Sequence, residues 1–337
     1  MDCGEWLRRL CEADAPGEAA SLAAEYFSDF AEVERDVFGG LAAQLSAGEG
    51  KPTLLLDAHI DTIGMIVTTI DADGFLKVGQ CGHLDARVLI GAEVMIWGKE
   101  PVYGVVCSMP PHLSHGRERT AAPVSELAID IGWDREQALR RVAPGDRVTL
   151  MQSFQPLRRN LVCGKSLDNR AGVAALMSAG DWLRKEAQLP CNVIFSLSEQ
   201  EETGGSPSAA AAYRFCPQEA VVVDVSFAAG YHTPSQAEAE LGRGPMLGIA
   251  ANLSREMFEK LRHTAEMADV AVQTEVMAGR TGTNADRIVS AAAGIPCALV
   301  SIPLRNMHTA VEVVSLSDVE QTGRLLAEYA KGGIGHA

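Results

Sequence analysis

The sequence predicts an α/β fold: a mainly parallel sheet with helices on both faces, interrupted by an inserted small β domain. Three observations carry this. After Gly164, short apolar runs alternate with longer amphipathic ones, the pattern of strands and crossover helices. The apolar run at 53–56, between turn signals, reads as a buried parallel strand and must join the same sheet. Between these two regions, from about 66 to 158, short β-branched segments are separated by Gly, Asp and Pro, as in a small all-β module. The expected organisation is therefore a discontinuous α/β domain over 1–65 and 159–337, with a β domain over 66–158.

Taken in order, the first fifty residues carry helical spacing, with Leu22, Ala23, Tyr26 and Phe30 three and four apart. Lys51-Pro52 breaks the chain before the strand at 53–56. Strands are expected at 65–70, 94–97, 102–106 and 147–150, with one helix at 135–141. Asp71-Ala72-Asp73-Gly74 mimics the start of a calcium loop but lacks a closing Glu in 76–82, so it reads as a hairpin turn. The alternating region then predicts helices at 169–186, 209–214, 255–268, 285–292 and 316–331. It predicts strands at 192–197, 220–225, 271–276 and 298–302.

Composition narrows the function. The chain has 337 residues, 47% of them apolar, enough for a packed globule of one large or two medium domains. No apolar run reaches the roughly 18 residues a membrane span needs. Residues 1–8 lack a basic start leading into an apolar core, so no export signal is expected and the cytoplasm is the expected location. The net charge of −15 disfavours nucleic acid, whose binding needs Lys and Arg against phosphate. Eight scattered cysteines form no C-x-x-C pair, and core thiols are expected; Cys163, near the Asp168 block, reads as a core thiol first and as a reactive one second.

Chemistry concentrates at predicted strand ends: His59 and Asp61, Asp168, Glu201 and Glu202, Asp224, and His308. Ligands of open α/β sheets gather at that edge. Any one of these residues alone reads as a cap or a satisfied histidine; Asp168 would make an ordinary helix N-cap. Together, two imidazoles (His59, His308) and three carboxylates (Asp168, Asp224 and one of the paired glutamates) form the donor set of a two-metal hydrolytic site. Zinc and cobalt accept imidazole nitrogen and carboxylate oxygen, and one Asp can bridge metals about 3.5–4 Å apart. Asp61, two residues past His59, suits an acceptor that fixes the imidazole tautomer. Glu201 and Glu202 point in different directions, so one can ligate while the other acts as a general base on the bridging water. Adjacent glutamates do not suit a glycosidase, whose carboxylates oppose each other across a sugar.

These blocks resemble the TET and glutamyl aminopeptidase family of cocatalytic metallopeptidases (metallopeptidase family 42). The matching segments are Asp57-Ala58-His59-Ile60-Asp61-Thr62-Ile63-Gly64, Ser166-Leu167-Asp168-Asn169-Arg170-Ala171-Gly172, Gln200-Glu201-Glu202-Thr203-Gly204, Val223-Asp224-Val225, and the stretch 302–312 around Met307-His308-Thr309. Further landmarks are Pro110-Pro111-His112-Leu113, Ile129-Asp130-Ile131-Gly132 and Gly242-Arg243-Gly244-Pro245. The resemblance implies that Asp168 bridges the metals, that His59 and Asp224 complete one, and that Glu202 and His308 complete the other. It further implies Glu201 as general base and Asp61 as the residue orienting His59. The implied cofactors are two divalent ions per subunit, zinc or cobalt foremost and manganese after them. The implied fold is a zinc-peptidase-like domain whose β insertion drives self-association, from dimer up to dodecamer, and the implied substrates are peptides cut at their N-termini. Departures from the family pattern are Asn284 where Asp is usual, Thr203-Gly204-Gly205-Ser206-Pro207 after Glu202, and no Gly-Asp near 227–231.

Two other readings use the same residues: a metal-dependent deacylase or amidohydrolase on small N-acyl compounds, and a metal-binding assembly protein without turnover. A free Glu201 argues against the second, since a structural site needs no base. His83, His112 and His115 are expected in a loop of the β domain, and His232 and His263 at the surface.

Overall fold

The computed structural model describes residues 2–107, 109–110, 113, 122–231 and 239–334. Its larger body is an eleven-stranded sheet. Four parallel strands form the centre, in the order Asn192–Ser198, Thr53–His59, Glu219–Phe227 and Cys297–Arg305. Their residues are apolar on both faces because both faces are covered. Leu54 and Leu56 pack with Phe195, Val221, Val223 and Val300 under helices Cys3–Glu12, Glu18–Ser28, Leu167–Leu183, Arg255–Met267 and Leu316–Lys331. Leu55, Ile194, Val222 and Leu299 face the other way, against Ser206–Phe215 and Ala285–Ile288. Leu54, Leu55 and Leu56 are wholly buried, each contributing about 1.5–3 kcal/mol.

The expectation of a mainly parallel sheet needs correction: the sheet is mixed. Glu32–Arg35 and Leu41–Leu45 add an antiparallel pair at one side. Glu312–Ser315, Leu161–Gly164 and Gln155–Pro156 add antiparallel strands at the other. Met246–Ile249 also runs antiparallel to Cys297–Arg305. For the pairs Glu32–Arg35 with Leu41–Leu45, Gln155–Pro156 with Leu161–Gly164, and Cys297–Arg305 with Glu312–Ser315, the reason is connection length, since strands joined by a tight turn can only pair antiparallel. The turn after Arg35 is closed by Asp36, whose carboxylate accepts the N–H groups of Phe38 and Gly40 at 2.8 and 3.0 Å. The helical spacing of the first fifty residues thus holds only to Ser28.

A second body is a closed barrel of six strands: Gly64–Ile70, Leu76–Cys81, Ala128–Asp130, Pro101–Cys107, Glu93–Trp97 and Arg147–Leu150, in spatial order. Closure leaves no free edge. Alternate residues fill its own core, Met65, Val67, Val94, Ile96, Ile129 and Val148 among them. The Asp71 turn is a hairpin: its carboxylate accepts the N–H groups of Asp73 and Phe75. Helix Arg135–Arg141 opens with a capping box between Asp134 and Gln137. Among the described residues, no helix is long and apolar enough to cross a membrane.

Candidate metal centre

The four central strands end at one edge of the sheet. His59 closes Thr53–His59, and Asp224 sits near the end of Glu219–Phe227. Glu201 and Glu202 form a single turn just after Asn192–Ser198, His308 follows Cys297–Arg305, and Asp168 lies at the start of Leu167–Leu183. Left-handed backbone at Ser166, Gln200 and His308 (φ 60°, 64° and 62°) turns the chain sharply at each place. Such a conformation costs about 1–2 kcal/mol at a residue other than glycine and persists only where its surroundings hold it.

Asp168 is the centre of the arrangement. Its Oδ1 lies 3.2 Å from His59 Nε2 and its Oδ2 3.4 Å from His308 Nε2. His59 Nε2 is also 3.5 Å from Asp224 Oδ1, and His308 Nε2 is 3.7 Å from Glu202 Oε2. Two donor groups result, His59–Asp168–Asp224 and Asp168–Glu202–His308, with donor atoms inside 4.8 Å of one another and Asp168 common to both. Asp168 is not the ordinary N-cap that its position alone suggests. It and Asn169 have non-helical backbone, which sends the Asp168 carboxylate across to the imidazoles. Asn169 makes the local bonds instead, accepting from Gly172 N–H at 3.0 Å and donating to the Val223 carbonyl at 2.8 Å.

Three carboxylates support this set from behind. Asp61 lies 3.4 Å from His59 Nδ1 and accepts the N–H groups of Glu201 (3.0 Å) and Glu202 (3.3 Å). It therefore aims the glutamate pair as well as the imidazole. Glu312 is buried and accepts the N–H groups of Asp168 (3.0 Å) and His308 (2.9 Å). No role follows for Glu312 from local spacing, although an acid within the apolar stretch Val311–Val314 is a flag for a buried, partnered charge. Asp57, under His59, is held by Ser196 (2.7 Å), Ser198 (3.4 Å) and Asn284 (2.8 Å). The departure at Asn284 is thus a neutral donor facing a buried acid.

Burial dominates the electrostatics. It raises the Glu201 carboxyl to about 8, with Asp224 and Glu202 adding to the effect, and the Glu202 carboxyl to about 7, with Asp168 adding. Burial also raises Asp224 and Glu312. Burial opposes charge on His59, yet Asp224 and Asp168 outweigh it and raise the imidazole. His308 is raised chiefly by its hydrogen bond to Asp168. Asp168 goes the other way: burial pushes it up, but His308 and His59 bring it down to about 2. Carboxylates outnumber imidazoles in the two donor groups, and Glu202 Oε1 is buried with no hydrogen-bond partner. Imidazole nitrogen and carboxylate oxygen are the donors zinc-like ions take, so the residues fit two divalent ions.

The centre opens on a cleft of about 600 Å³, lined also by Ser226, Phe227, Glu275, Met277, Leu299 and Ser301. The barrel contributes its wall through His83, whose ring stacks on His308 with centroids 6.2 Å apart. His83 thus lies in a loop of the β domain, as expected, and that loop reaches the centre. Gly82 beside it has φ 77°, and a Cβ there would lie 3.0 Å from Glu202 Oε2. Cys163 is a half-buried thiol raised by burial and by Glu312, outside both donor groups. His263 is exposed near Glu266. His112, His115 and His232 lie outside the described residues, as does Pro111 of the Pro110-Pro111-His112-Leu113 landmark.

Comparison with known proteins fits this geometry. Residues 39–325 match the model of the M42 glutamyl aminopeptidase family. A lysyl aminopeptidase of Pyrococcus furiosus is 27% identical over 301 residues, covering 87% of this chain and 85% of the relative. The TET aminopeptidase of the marine sediment archaeon Thaumarchaeota archaeon SCGC AB-539-E09 superposes with a TM-score of 0.92 at 29% identity, over 98% and 96% of the two chains. A TET peptidase of Pyrococcus horikoshii that can assemble into a tetrahedron or a large octahedral shell has a TM-score of 0.86 at 30% identity, over 98% and 99%.

Proposed function

Because the chain belongs to the M42 glutamyl aminopeptidase family, and so is a peptide hydrolase, we propose that it is a dinuclear aminopeptidase with Glu201 as its general base. The observation that carries this is Asp168, whose two oxygens face two different imidazoles and make it common to both donor groups. His59 and Asp224 would hold one ion, Glu202 and His308 the other, and Asp168 both. Two divalent ions there would supply Lewis-acid polarisation of the scissile carbonyl and charge to stabilise the developing oxyanion.

The chain's own residues do the rest. Asp61 fixes the Glu201 and Glu202 backbone and touches His59 Nδ1, so ligand and base keep one geometry. Glu201 lines the cleft beside the donors and takes the proton of the attacking water as its oxygen adds to the carbonyl carbon. The same carboxylic acid then returns a proton to the leaving amine. His83 walls the cleft from the barrel side, and Gly82 beside it leaves room for Glu202.

The barrel is the proposed assembly surface, giving homo-oligomers from dimer up to dodecamer; the assembling relative from Pyrococcus horikoshii supports self-association as such. The eight free cysteines suit a reducing compartment, so the cytoplasm is the proposed location. The test is a panel of aminoacyl 4-nitroanilides with free or acetylated α-amines, after chelation and re-addition of zinc, cobalt or manganese. Cleavage of the free-amine members only is expected. Cleavage confined to N-acyl members would replace the aminopeptidase with a deacylase.

A further inference from the structure

We infer that Glu275 makes this cleft select peptides with a basic N-terminal residue, lysine or arginine, and reject acidic ones. This deepens the aminopeptidase reading and rests on it for the place of the scissile bond.

The argument begins with the sheet. Asp224, at the metal end, and Ser226 are two apart on one strand, so both side chains leave the same face. Ser301 is the parallel neighbour of Asp224. The Ser226 and Ser301 hydroxyls both donate to the Glu275 carboxylate, Ser226 to Oε1 and Ser301 to Oε2 at 2.9 Å. Glu275 reaches them because its partner across the strand pair Met246–Ile249 and Gln273–Val276 is Gly248, which puts no side chain in the way. The result is a carboxylate fixed by two hydroxyls, one level with Asp224 in the register and one a same-face step of about 6.6 Å beyond it along the strand.

Glu275 lines the same cleft as the donor groups. The stretch around it is apolar, with Phe227, Met277 and Leu299. That sequence of surfaces matches a lysine or arginine side chain, an aliphatic stem ending in a cation. Each carboxylate oxygen has accepted one hydroxyl and keeps capacity for a further donor. Among the described residues Glu275 has no Lys or Arg partner, and no Lys or Arg lines the cleft. A glutamyl or aspartyl side chain would therefore meet a like charge at Glu275, while a lysyl one would meet its counterion. The family's glutamyl descriptor does not fix the preference of this member.

The experiment uses the zinc- or cobalt-loaded full chain and the 4-nitroanilides of Lys, Arg, Leu and Glu. Lys and Arg should exceed Glu by at least about 100-fold in kcat/KM, the scale of discrimination a site built for a polar partner reaches. Glu275→Gln should lower kcat/KM for Lys by about 10- to 100-fold, mainly through KM, with Leu changed less than threefold. A Glu substrate cleaved as well as Lys would overturn the inference. So would an equal loss on Lys and Leu, which would assign Glu275 to the α-amine or to the fold. A second readout does not need turnover: calorimetric binding of lysinamide against norleucinamide to the metal-loaded protein. Tighter lysinamide binding that Glu275→Gln abolishes supports the pocket even if no amide is hydrolysed, an outcome that would sink the aminopeptidase reading alone. Equal binding of the two amides overturns the pocket.

Discussion

The Asp61 carboxylate accepts the backbone N–H of Glu201 at 3.0 Å, joining two residues 140 positions apart in the chain. It takes the Glu202 N–H as well and lies 3.4 Å from His59 Nδ1. One half-buried acid therefore sets the proposed base and orients a ligand on the other side of the centre.

Asp61→Asn keeps the volume but loses the charge that both amides and the imidazole face. Removing a partner behind a ligand typically costs about 10–100-fold in activity or metal affinity. A loss of that size in kcat is expected, with smaller loss of bound metal by elemental analysis. Unchanged kcat would show that the Glu201 backbone needs no such anchor.

Glu201→Gln separates base from ligand. It should keep both ions and lose about 10²–10⁴ in kcat, about 3–5 kcal/mol in barrier. Asp168→Ala should lose metal altogether, because its two oxygens serve both groups. If Glu201→Gln releases an ion while Glu202→Gln retains two, the roles of the glutamates are reversed.

Glu312 holds the backbone of two ligands at once, Asp168 and His308. Glu312→Gln replaces one acceptor oxygen with an NH₂ group that cannot accept. Metal affinity should fall by about 10–100-fold while the fold persists. Calorimetric titration with zinc or cobalt reads this directly, and an unaltered affinity would reduce Glu312 to a core residue.

Metal uptake should release protons and strengthen as pH rises. In the metal-free chain Glu202 titrates near 7 and Glu201 near 8, and His59, His308 and Asp224 are all raised. Each raised group binds its proton more tightly folded than unfolded, and Asp168, lowered to about 2, is the exception. The folded metal-free protein therefore holds excess protons from about pH 4.5 to about 8, and its stability falls across that window as pH rises. Thermal melts of the chelated protein should drop from pH 6 to pH 8, whereas the metal-loaded protein, whose ligands are already deprotonated, should not. Titrations in buffers of different ionisation heat should show proton release on binding.

Self-association is the fifth expectation. Light scattering at micromolar concentration should give a mass above the 35.8 kDa of one chain. A single species at that mass would remove the barrel from the proposed assembly role.

Much of the centre is legible in the residues alone because metal chemistry restricts donor types and α/β topology restricts their place. His59, Asp168, Glu202, Asp224 and His308 all read as strand-end or helix-start groups, and the structure brings these five together. The helices at Arg255–Met267 and Leu316–Lys331 are legible for a local reason, the three- and four-residue spacing of their buried side chains.

What the sequence determined by itself was therefore local: the apolar period of each element, the alternation that makes an α/β sheet, and the kinds of donor at its strand ends. What only the tertiary structure decided was non-local. The antiparallel flanks, the reach of Asp61 to Glu201, the hold of Glu312 on Asp168, and the meeting of Ser226, Ser301 and Glu275 all depend on which strands are neighbours and in what register. Strand order and register come from packing the whole core at once, so residues distant in sequence become partners with no periodic trace of it in either segment.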